Sequence, residues 1–133
     1  MTSRAATGGW GLLLAAGLHA DWHLARPLHH RLSLAWPGHW VATAALFALV
    51  GWWIARRWTD RRWRMALDVL VIALVVAQVI EPSLEVLVYE HRLGYPVEPE
   101  RWRVLARTLA AALPAYAVAL WMCAPRPAAR VAA

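Results

Sequence analysis

His19 and His23 stand four residues apart in the stretch HADWHLARPLHH, which also holds His29 and His30. Residues at i and i+4 share one face of a helix. An HxxxH pair is therefore how a single helix offers two imidazoles to one metal ion. Asp21 lies between them and falls on the other side of a regular helix. Glu81 and Glu85 repeat the same spacing with carboxylates, and Tyr89 continues their stripe. Gln78 extends it by one turn in the opposite direction. Imidazole plus carboxylate, without sulfur, suits Zn, Fe, Mn or Cu(II). Met65, Met122 and Cys123 fall at the far ends of their segments, which disfavours a Cu(I) site of the Met/Cys type beside these histidines.

His39, Glu90, His91, Arg103 and Arg107 complete the polar cluster. Arg103 and Arg107 are four apart as well, and Arg107 at matching depth could neutralise Glu81 or Glu85 without any metal. Arginine suits that role because its planar fork pairs both carboxylate oxygens. Haem is a lesser expectation: His19, His23 or His39 could serve as an axial ligand. With one cysteine there is no CxxCH attachment, no intrachain disulfide and no CxxC site. Di-metal carboxylate bundles carry ExxH pairs, and this chain has none. The histidine boxes of membrane desaturases and hydroxylases are not matched either: there is one HxxxH, and His29-His30 follow Pro27-Leu28.

These residues need elements to hold them. The chain has 133 residues, enough for a single domain, and is 61% hydrophobic with mean hydropathy +0.42. A spanning helix needs about 20 mostly apolar residues. Four segments qualify, at about 8–25, 39–57, 65–89 and 102–123. The expected fold is all-α, a polytopic four-transmembrane-helix bundle over residues 1–124. A short cytoplasmic, disordered tail, 125–133, follows it. Glu81 would lie roughly 12 Å from the outer end of the third helix, where a carboxylate must face the bundle and find a partner or carry a proton. Pro82 and Pro114 should distort their helices, which membrane helices tolerate.

Charge sets the expected orientation. The link RRWTDRRWR carries five arginines and one aspartate, so the positive-inside rule makes it cytoplasmic, with both termini. Arg4, Arg126 and Arg130 agree. Asp68, near the start of the third helix, reads as a cap or a partner of Arg64. All six histidines and all five glutamates then fall at the opposite, periplasmic or extracellular face. Tryptophan gives the same layout, since it concentrates at membrane interfaces. Trp22, Trp36, Trp40 and Trp102 mark the outer boundary, and Trp10, Trp53, Trp58, Trp63 and Trp121 the inner one. The alternative for the first segment is a cleaved signal, but Leu18 at the −3 position before Asp21 makes a poor cleavage site.

The 14 arginines, with no lysine and abundant alanine, look partly like a GC-rich bacterial genome. The net charge of +6 comes from a loop between apolar segments, so lipid explains it better than nucleic acid. The expected function is a small multi-pass inner-membrane protein with an outward-facing His/Glu cluster. That cluster would bind a transition metal or support metal-dependent chemistry on a membrane-associated substrate. The first alternative is a non-catalytic accessory subunit of a larger membrane complex, or a homo-oligomer, with the cluster as an ion-pair network. A small transporter with Glu81 as its proton-linked carboxylate comes last, because the inner halves of the segments are almost purely apolar.

Overall fold

From Val41 to Ala55, and again from Val69 to Ile80, no residue carries a formal charge. Such stretches, rich in Ala, Leu and Val, satisfy their backbone groups internally by coiling into helices. The computed structural model describes residues 3–31, 38–80 and 101–126, with side chains described for 3–20, 41–80 and 105–126. Among these residues the fold is all helical. Helix α1 spans Ser3–Arg31 and α2 spans Gly38–Arg57. A 3-10 turn, Thr59–Arg61, leads into α3, Arg62–Val75. The same helix then widens into a π segment, Val76–Ile80. Helix α4 spans Arg101–Met122 and contains Pro114.

Two continuous stretches, Thr59–Ile80 of 22 residues and Leu105–Met122 of 18, are long and apolar enough to cross a membrane. Helices α2 and α4 match their expected bounds to within a residue. Helix α1 is longer than its apolar segment at both ends and carries His29 and His30, which the sequence places in a loop. Pro27 lies within this helix, although an interior proline forfeits a backbone bond and crowds the carbonyl four residues earlier. The expected extension of α3 to Tyr89 and the tail beyond Arg126 lie outside the described residues.

The helices associate as two close pairs, α2 with α4 and α1 with α3. Gly11 of α1 lies against Val69 and Ile72, and Thr7 against Met65, so α1 and α3 run in the same direction. Gly17 meets Leu46 while Trp10 meets Trp53, so α1 and α2 run in opposite directions. At Gly51 the backbones of α2 and α4 approach so closely that a Cβ would sit 2.9 Å from the Tyr116 carbonyl oxygen. Small residues at crossings are what membrane helix pairs use, since lipid supplies no hydrophobic drive between helices and close packing must do it. Ala55, Ala66, Ala73, Ala112 and Ala119 are buried at the same contacts.

The core between the pairs is Leu14, Phe47, Val50, Ile54, Val69 and Leu120, all fully buried. The Phe47 and Tyr116 rings meet edge to face at 5.7 Å and 82°. Outside the core the helices remain apolar. Leu67, Val71, Val75 and Val79 form an exposed stripe at four-residue spacing along α3 and its π segment.

Candidate functional site

This arrangement gives the bundle two unlike ends. The histidine end begins where α1 leaves the core at buried Leu18 and exposes His19. The α1 backbone stays helical through Arg31, so Asp21, His23, His29 and His30 follow on the same rod. At 3.6 residues per turn, positions 19, 23 and 30 fall within about 40° of one another about the helix axis. His29 falls off that face, and Asp21 lies on the opposite one. His39 is the second residue of α2, and Arg103 the third of α4. Arg107 is exposed one turn further along α4.

Phe47 meets Tyr116 and Gly51 meets Ala119, so α2 and α4 run in the same direction, and the later half of α1, the start of α2, the π end of α3 and the start of α4 lie toward one end. His19 and His23 occupy successive turns of one helix, as their spacing predicts. Their expected partners Glu81 and Glu85, with Tyr89, Glu90 and His91, lie outside the described residues. Among the described residues no group of three or more His, Cys, Asp or Glu side chains could hold a metal.

Pro82 follows the π segment shortly in the sequence, and a proline has no N–H to offer the carbonyl four residues earlier. The helix departs from α geometry just before this proline, at Val76–Ile80. Such widened turns occur often at functional positions. Gln78, half-buried here, donates from Nε2 to the Ala77 carbonyl at 3.3 Å.

The other end is built around arginine and tryptophan. Trp53 stands between Trp10 and Trp58, with ring centroids 4.6 Å and 5.0 Å away. The sequence reads these rings as interfacial anchors, and the structure adds a packing role: they fasten α1, α2 and the turn together. The turn is ordered by its own backbone, with Trp58 N–H donating to the Ile54 carbonyl at 2.9 Å and Arg61 N–H to the Trp58 carbonyl at 3.1 Å. Arg62 donates from Nη1 to the Thr59 carbonyl at 2.7 Å, and its guanidinium lies 5.8 Å from the Trp63 ring centroid. Asp68 does not cap α3: the helix starts at Arg62, leaving Asp68 exposed in its second turn. The N-cap position is Arg61 and makes no side-chain cap.

Between the ends, the polar groups buried in the described interior are Thr7, Thr43, Thr108 and Tyr116. Thr7 donates to the Ser3 carbonyl at 2.6 Å and lies 3.9 Å from the Met65 sulfur. Tyr116 donates to the Ala66 carbonyl at 2.9 Å, joining α4 to α3. Sequence spacing does not reveal that bond, although a tyrosine amid PAYAVALW must find a polar partner once buried. Comparison with protein-family models, curated proteins and solved structures finds no match.

Proposed function

We propose that this chain is a four-span inner-membrane protein that binds a transition metal at its histidine end. The membrane part of the reading rests on how little of each apolar stretch is buried. Only 28% of the most apolar window of Thr59–Ile80, and 28% of that of Leu105–Met122, lies inside the bundle. A soluble core helix hides most of its apolar surface, whereas a helix apolar all round needs lipid or more protein. By the positive-inside rule the arginine end faces the cytoplasm and the histidine end the periplasmic or extracellular side.

The observation that carries the metal proposal is the unbroken course of α1 through His19, His23 and His30, three imidazole-bearing positions on one helix face. The π end of α3 reaches that same end of the fold, and Glu81 follows it in the sequence. Histidine with glutamate would take Zn, Fe or Cu(II). Such an ion would supply Lewis acidity toward a membrane-associated substrate. The test is metal analysis of the full chain purified in detergent. His19→Ala with His23→Ala should remove stoichiometric metal, and Glu81→Ala should reduce it. Unchanged metal content in the double variant would place the site elsewhere.

A second reading is favoured by the stripe Leu67, Val71, Val75 and Val79 with exposed Asp68 beside it. A carboxylate on the outside of a spanning helix calls for a partner. An accessory subunit, or a homo-oligomer, would supply it. Mild-detergent purification that recovers a larger stoichiometric assembly would favour this reading over the metal site.

A further inference from the structure

We infer that the turn between α2 and α3 is a preformed binding site for the phosphate of an anionic phospholipid. This goes beyond general attraction of basic loops to membranes and rests on the membrane reading above, not on the metal. Five arginines fall within nine residues, from Arg56 to Arg64, with Asp60 the only acid among them. Arg56, Arg57, Arg61 and Arg64 are exposed. They extend from the ends of two helices and a 3-10 turn whose backbone is hydrogen-bonded. Thr59 Oγ1 adds a bond to the Ala55 carbonyl at 3.3 Å, and Trp58 is seated on Trp53 at 5.0 Å. The cations are thus carried on an ordered frame, so less entropy is lost when a ligand is gripped.

Two further features point to a phosphate. Arg62 spends one donor on the Thr59 carbonyl, while its Nε is buried and has no hydrogen-bond partner. A guanidinium has five donors in a fork that matches phosphate oxygens, and buried donors are normally satisfied. Nε is thus a donor of Arg62 left to pair with a phosphate oxygen. Trp52, Trp63 and Trp121 are exposed at this same end, 43%, 50% and 71% respectively. Indole prefers the headgroup level of a bilayer, which puts the arginines at phosphate depth. A soluble anion would gain nothing from those rings, so the occupant is a lipid with a net negative headgroup.

The test uses the full chain in non-ionic detergent, titrated with phosphatidylglycerol, phosphatidylcholine or inorganic phosphate, with bound lipid counted by native mass spectrometry. Phosphatidylglycerol should be retained in preference to phosphatidylcholine, and inorganic phosphate should not displace it. Arg61→Gln with Arg64→Gln removes two exposed charges and should weaken phosphatidylglycerol retention about 20- to 30-fold, with helix content unchanged by circular dichroism. Equal retention of both lipids, an indifferent double variant, or displacement by phosphate would each overturn the inference. Failure of the chain to resist alkaline extraction from phosphatidylcholine vesicles would instead strike the membrane reading itself.

Discussion

At the scale of single residues, the bundle depends on places where a side chain is missing or a hydroxyl is present. Gly51 is one such case. An added methyl would meet the Tyr116 carbonyl oxygen at 2.9 Å and the Ala119 Cβ at 3.2 Å, and neither can move without moving α4. Gly51→Ala should therefore destabilise the fold by about 1–3 kcal/mol, the usual cost of overpacking, seen as a lower melting temperature in detergent. Gly17→Ala is the control, because the atom in its way is the mobile Leu46 Cδ2, which can rotate aside. Tyr116→Phe keeps the ring against Phe47 but removes the donor to Ala66. Its cost should be about 1 kcal/mol, measured by the same melt. An equal penalty for Gly17→Ala and Gly51→Ala would show that the α2–α4 contact is looser than described. None of these roles is visible in the sequence, because a glycine at a crossing and a glycine facing a pliable leucine look identical until the neighbouring helix is in place.

Among the elements, apolar runs and arginine punctuation carry most of the information. The run VATAALFALVGWWIA bounded by Arg56 fixes the end of α2, and Met122 before the proline-rich tail fixes that of α4. Helix α1 escapes the same reasoning, because its extension through His19–Arg31 is polar and helical at once. Hydropathy detects where a segment is greasy, not where its backbone bonds stop. The candidate site was legible only in its spacings: His19 and His23 share a helix as read, while the glutamates that would complete a ligand set lie outside the described residues. The tryptophans were legible by depth but not by contact. Trp53 links Trp10 to Trp58, and each aromatic pair is worth about 0.5–1.5 kcal/mol beyond its buried area. Trp53→Leu should thus cost about 1–3 kcal/mol and flatten the near-ultraviolet circular dichroism. Retention of that signal would mean that the cluster does not order the arginine turn.

For the molecule as a whole, the proposed function requires two chemically unlike ends that face opposite sides of a bilayer. The described core of Leu14, Phe47, Val50, Ile54, Val69 and Leu120 fills the space between them with apolar side chains. That sealing favours a site served from one face over a route through the bundle. The lone cysteine offers a direct probe, since Cys123 follows the last residue of α4 at the arginine end. Ala20, exposed beside His19, marks the other end. The decisive measurement is labelling of oriented membrane vesicles with an impermeant maleimide, using the native chain and Ala20→Cys in a Cys123→Ser background. Cys123 should react only from the cytoplasmic side and the cysteine at position 20 only from the opposite side. Reaction of both from one side would contradict the four-span account and, with it, the gathering of histidines and glutamates at a single outer face.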